Sequence, residues 1–291
     1  MNKKPYNDQF DAVTNSIVER LESGVAPWRK PWKVGAVPAN ALSGKAYRGY
    51  NLLVLSFQVY ADYRWVTYRQ AQELGGCVRA GEKAVRISFW QFGKKEEGES
   101  DKKRSIPLLK HYSVFNVEQC EGLKIKPLSE VLPSGDLLNP IDSAQVIADN
   151  MPNAPTMRHG GDSAHYSPEV DRVTMPLLNQ FVNADSYYST LFHELGHATG
   201  AARRLGRAGI VDIGGFGSDK YALEELVAEL CAAFVCAVAG VDNSLDQSAA
   251  YIKGWGSKLS ADPRFFMTAA GQAQRAADYI LGIKFGEEKE D

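Results

Sequence analysis

The stretch Thr190-Leu191-Phe192-His193-Glu194-Leu195-Gly196-His197 decides the reading of this chain. It contains H-E-x-x-H, two histidines four positions apart with a glutamate beside the first. On a helix, positions i and i+4 lie on one face. Two imidazoles so placed can hold one tetrahedral Zn²⁺ from a single rigid element, with another divalent ion such as Mn²⁺ as the alternative. Glu194 sits one step round the same turn, where it can take a proton from an attacking water and hand it to a leaving amine. Asp185 is the expected N-cap of this helix and Gly200 its expected stop. Tyr188, Leu191, Leu195 and Ala198 make an apolar stripe roughly opposite the histidines, so the helix should pack on a core and turn its metal face to a cleft.

A catalytic zinc takes three protein ligands and keeps one open position. The next helix, from Tyr221 to Phe234 and ending near Gly240, offers Glu224, Glu225 and Glu229. Glu224 and Glu225 lie at its start, where carboxylates are favourable without any function. Glu229 lies inside an almost unbroken apolar run, where a carboxylate is costly unless paired or bound to a cation. This points to His193, His197 and Glu229 as ligands. Glu225 is the competitor, because Glu225-x-x-Ala228-Glu229 also resembles the glutamate element of glutamate zincins. In that alignment Glu225 is the ligand and Glu229 orients a histidine.

The chain has 291 residues and a formal net charge of −2, which hides an asymmetry. Residues 1–125 hold 20 Lys/Arg against 13 Asp/Glu, and residues 126–291 hold 13 against 22. The basic half also contains four of the five tryptophans. Pro, Ser and Gly cluster where the charge changes sign, which predicts a linker over 126–140 between a 1–125 domain and a 141–291 domain. No apolar run approaches the roughly 20 residues of a membrane helix, and the first residues lack the apolar core of a secretion signal. Cys77, Cys120, Cys231 and Cys236 form no C-x-x-C pair and read as reduced thiols. A cytoplasmic protein without a membrane partner is expected.

The first half reads as a small α/β module. Phe10, Val13, Ile17 and Leu21 recur at helical spacing and Gly24 ends that helix. Tyr50 to Tyr63 reads as a second, apolar helix. Thr67-Tyr68-Arg69-Gln70 is a capping box before a short helix stopping at Gly75-Gly76. Residues 84–92 alternate as a strand, with 106–117 as hairpin partner and the charged run 93–105 as the loop between them. Cations and aromatics are interleaved at Trp28-Arg29-Lys30-Pro31-Trp32 and at Lys45-Ala46-Tyr47-Arg48. Single-stranded nucleic acid requires cations for its phosphates and aromatic faces for its bases. Trp28, Arg29, Lys30, Trp32, Lys45, Tyr47 and Arg48 are therefore the candidate DNA contacts.

Taken with the metal motif, these segments resemble the ArdC family of antirestriction proteins. The resemblance rests on Pro27 to Trp32, Tyr47 to Asn51, Thr67 to Ala71, Gly76 to Lys83, Tyr112 to Cys120, Asp171 to Pro176, Tyr187 to His197, Glu224 to Glu229 and Gln272 to Ile280. It implies an α+β chain in which a small basic domain that binds single-stranded DNA precedes a zincin-like metallopeptidase domain. It also implies protection of incoming plasmid DNA from host restriction during conjugation. Three mechanisms follow: a shield over the DNA, a DNA-tethered protease acting on restriction or other DNA-bound proteins, and a metal-dependent nuclease. The two-imidazole motif disfavours the last. In the second half, 165–167 and 172–176 read as strands, with Val170 to Met175 the expected edge above the cleft. Tyr166, Tyr187 and Tyr221 are candidate oxyanion donors, and His111, His159 and His165 are spare histidines. Ser260 to Pro263 should open a last helix with an alanine-rich packing face, Ala269, Ala270, Ala273 and Ala277.

Overall fold

The structure is a computed structural model. It describes residues 37–91, 108–131, 140–211, 219–243 and 264–283, with scattered positions within 15–23 and 255–262. The described residues divide into two compact units: Val37–Val131, and Leu132–Asp291 together with those of Met1–Ala36.

The first unit is built on a four-stranded sheet of order β1-β2-β5-β4, from β1 (Ala39–Asn40), β2 (Arg64–Thr67), β4 (Val85–Gln91) and β5 (Leu108–Asn116). Strands β4 and β5 form the expected antiparallel pair, with Val85 opposite Val114 and Gln91 opposite Leu108. Helix α1 (Gly49–Ser56) covers one sheet face, where Leu55, Tyr47, Trp65, Ile87 and Val114 form a buried cluster. This helix is shorter than the expected 50–63. Val59 is exposed, the Tyr60 ring meets Trp65 edge to face, and Asp62 begins a buried ion pair with Arg64. The helix therefore stops at Ser56, and the chain turns through 57–63 into the central strand β2. Helix α2 (Tyr68–Glu73) carries both bonds of the Thr67/Gln70 capping box. It packs on the other sheet face through Val66, Ala71 and Val117. A small pair, β3 (Cys77–Val78) with β6 (Cys120–Glu121), completes the unit.

In the second unit, a three-stranded sheet of order β7-β9-β8 lies beside the helices. Its strands are β7 (Thr156–His159), β8 (His165–Ser167) and β9 (Arg172–Met175). Strand β9 runs between the other two, so it is not the expected edge; the edges are β7 and β8. Helix α3 (Pro140–Asp149) is followed by the metal-motif helix α4 (Ala184–Ala198). Asn183 caps α4 by accepting from Ser186 N–H, in place of the expected Asp185. Asp185 instead accepts from the Asp242 N–H. Helix α5 (Asp219–Ala239) has a continuously buried run from Leu226 to Cys236 and stops at Gly240, whose φ is +80°. Helix α6 (Arg264–Ile280) buries Ala269, Ala270, Ala273 and Ala277, as expected, and packs against α5.

Candidate metal centre

Helices α4 and α5 pack closely because Gly196 has no side chain: a Cβ there would lie 3.2 Å from the Ala228 Cα. That approach brings the glutamates of α5 against the histidines of α4. The Nε2 atoms of His193 and His197 lie 3.1 Å apart. The Glu225 carboxylate spans them, 3.5 Å from Nε2 of His197 and 3.8 Å from Nε2 of His193. These three donors form a group able to hold a metal ion, all within 4.8 Å of one another. Two ligands about 2.1 Å from a tetrahedral ion stand about 3.4 Å apart, so the spacing fits a divalent cation. The donor chemistry fits as well. Glu194, Glu224, Glu225 and Glu229 are all buried here against two imidazoles and one guanidinium, a surplus of negative charge that a cation offsets.

Glu229, the expected third ligand, is outside this group. Its carboxylate lies 3.6 Å from Nδ1 of His193, on the ring edge turned away from His197. Glu225 and Glu229 are one helical turn apart, and the rotation of α5 gives the first to the Nε2 pair and the second to the back of His193. Nδ1 of His193 is buried and has no partner at hydrogen-bond distance.

His197 has a matching support that the sequence did not reveal. Its Nδ1 lies 3.3 Å from Glu224, and Arg207 grips Glu224 through Nε at 2.9 Å and Nη2 at 2.5 Å. Arg207 also donates to the Thr199 hydroxyl at 2.6 Å and to the Gly196 carbonyl at 2.7 Å, which ties the end of α4 to α5. Arg207 lies in no motif, and its near-complete burial is the only signal for it. Burial pushes the Glu224 carboxyl up, but Arg207 and His197 outweigh it and hold the group below its usual range. Burial also opposes protonation of His197, yet the Glu224 hydrogen bond with Glu225 and Glu194 raises it to about 9. His193 is held well below its usual value by burial and by His197.

Glu194 is buried, and that burial raises its carboxyl. The charge of His197, the Tyr166 backbone on strand β8 and the charge of His165 oppose that rise. The hairpin of β8 and β9 is anchored by Asp171, which accepts the Tyr166 hydroxyl at 2.7 Å and Arg204 at 2.7 and 2.9 Å. The Tyr187 hydroxyl is engaged with His159 at 3.1 Å, so Tyr166 and Tyr187 both have other partners. His165 is exposed on β8 near Glu194, and His111 bonds Ser88 in the first unit.

Of the candidate DNA contacts, Trp28, Arg29, Lys30 and Trp32 lie outside the described residues. Lys45 is exposed in the turn after β1, and Arg48 is half-buried at the start of α1. Tyr47 is a core residue, packed with Leu55 and Trp65 and 8% exposed, so its ring is closed to a base. Aromatic spacing alone does not separate a core tyrosine from a surface one.

An H-E-x-x-H helix, a glutamate helix packed on it and a small sheet edged by β8 define a zincin-like metallopeptidase module, here in one chain with a basic α/β module. The family models agree: residues 145–272 match a zincin-like metallopeptidase and residues 7–115 match the N-terminal domain of anti-restriction factor ArdC. The chain belongs to the ArdC antirestriction family. It is similar to crystal structures of antirestriction ArdC from the R388 plasmid. The metal-free form is 34% identical with a TM-score of 0.74, over 95% of this chain and 97% of that one. The Mn(II)-bound form is 34% identical with a TM-score of 0.73, over 97% and 100%. Uncharacterized protein y4eC of Sinorhizobium fredii is 36% identical over 94% of this chain and 91% of its own length. A DNA primase TraC of Escherichia coli is 35% identical over 97% of this chain, which spans only 20% of that primase. No described helix is long and apolar enough to cross a membrane.

Proposed function

We propose that this protein binds single-stranded DNA through its basic first half, protects incoming plasmid DNA from host restriction during conjugation, and carries a metal-dependent peptidase in its second half. The observation that carries the peptidase reading is the meeting of His193, His197 and Glu225 beside a buried Glu194. In this reading His193, His197 and Glu225 would hold the ion, zinc with manganese as the alternative. When bound, it supplies Lewis acidity towards a peptide carbonyl and an activated water. Glu194 accepts the proton of the attacking water and delivers it to the leaving amine. Glu224 and Arg207 hold the His197 ring with Nε2 turned towards His193 and Glu225, and Glu229 stands behind His193. Strand β8 offers its outer edge to an extended peptide.

Family membership and the excess of cations in residues 1–125 support the DNA reading. Coating a strand blocks several restriction enzymes at once, whereas proteolysis requires a recognised feature in each. Protection therefore comes from occupying the DNA, and host restriction proteins or other DNA-bound proteins are the peptidase's candidate substrates. The test is transfer of DNA into a restricting host. Glu194→Gln should retain protection, and alanine replacement of Trp28, Arg29, Lys30 and Trp32 should abolish it. The opposite pattern would make proteolysis the protective act.

A further inference from the structure

Strands β4 and β5 run on past the core as a two-stranded ribbon. The register places Ile87 opposite Tyr112 and Phe89 opposite Lys110, so these four share one face. Ile87 is 2% exposed and closes the core cluster, while Phe89 two positions on is 46% exposed and Tyr112 is 44% exposed. Their rings meet edge to face, with centroids 5.6 Å apart and planes at 75°. Each ring thus fixes the other at the surface instead of folding into the core.

Among the described residues, the positive charge around this pair is uncompensated. The two strands, VRISFWQ and LLKHYSVFN, contain no Asp or Glu. Among the described residues, neither Lys110 on the aromatic face nor Arg86 on the opposite face has a carboxylate partner. In the same unit, Arg64, Arg69 and Arg79 are paired with Asp62, Glu73 and Glu82. The free edge of β4 is closed at Ser88, whose N–H and C=O are both bonded by the Asn51 side chain, at 2.8 and 2.9 Å. A partner strand therefore cannot add to the sheet there, and binding falls to the side chains of the ribbon face. An acidic protein surface would satisfy Lys110 but leave the ring faces unused. Duplex DNA hides its base faces. A single strand offers both stacking bases and phosphates.

We infer that the face formed by Phe89, Tyr112 and Lys110 is a binding site for single-stranded DNA, with bases on the two rings and a phosphate at Lys110. This rests on the single-strand reading above and places the stacking contact on the ribbon, where Tyr47 cannot supply it. The test is fluorescence anisotropy of the full chain with labelled oligothymidylate across a salt series. Phe89→Ala and Tyr112→Ala should each weaken binding by about fivefold to 150-fold, with the salt slope unchanged. Phe89→Trp and Tyr112→Phe should keep wild-type affinity. Lys110→Gln should lower the slope of log K against log salt by about 0.7. Wild-type affinity in a Phe89→Ala/Tyr112→Ala double variant whose melting is unchanged would overturn the site and leave the single-strand reading standing. Failure of the wild type to bind the oligonucleotide would overturn both.

Discussion

Replacing Arg207 with methionine tests how the metal centre is supported. Arg207 is 8% exposed and its guanidinium makes four hydrogen bonds, two to Glu224, one to Thr199 and one to Gly196. Its loss strands the Glu224 carboxylate in a buried setting with only His197 beside it. Breaking a buried pair on one side costs about 3–5 kcal/mol, which in a unit of this size lowers Tm by about 6–20 °C. Metal affinity should fall by about 10–100-fold, because His197 loses a firmly held partner at Nδ1. The sign with pH follows from the lowered Glu224 carboxyl. Its contribution is full above the ordinary carboxylate range and is lost as pH falls through the depressed folded value. In Arg207→Met burial is no longer outweighed, so this acid-dependent contribution of Glu224 should shrink or vanish. An Arg207→Met/Glu224→Leu double variant should recover most of the Tm without recovering the metal affinity. Scanning calorimetry of metal-free protein and metal titration measure both effects. A single variant with wild-type Tm and wild-type metal affinity would refute the reasoning.

Gly196→Ala gains about 1 kcal/mol of helix propensity. Overpacking against the Ala228 backbone at 3.2 Å costs about 1–3 kcal/mol, so a net loss of stability by denaturant titration is expected, together with weaker metal binding as Glu225 moves from the histidines. In the native protein, a thiol reagent at neutral pH should modify exposed Cys77 and spare Cys231 and Cys236 until the chain unfolds. Burial pushes Cys231 up to about 12 and Cys236 higher still, and rapid labelling of either would contradict the packing of α5.

The parts legible in the sequence were those whose signal is local. The H-E-x-x-H helix, the Thr67 capping box, the β4–β5 hairpin and the alanine face of α6 each carry their own periodicity or cap. What escaped depended on tertiary placement. Glu225 and Glu229 share a helix face, and only the rotation of α5 against α4 decides which reaches the Nε2 atoms. Strand β2 carried no assignment, because Arg64 to Thr67 is too short to show alternation, and Trp65 and Val66, on its two faces, are both buried. Strand β7 was missed because its residues are all exposed and show no alternation. Arg207 and Glu224 gave no sign of their role because their meaning lies in each other, 17 positions apart.

The central claim is that His193, His197 and Glu225 form the metal site. Its most direct test is metal content and affinity by equilibrium titration with zinc and with manganese, in wild type, Glu225→Gln and Glu229→Gln. The account predicts about one ion per chain in the wild type. It predicts a loss beyond about 100-fold in Glu225→Gln and about 10–100-fold in Glu229→Gln. Metal binding that survives Glu225→Gln but collapses in Glu229→Gln would contradict it.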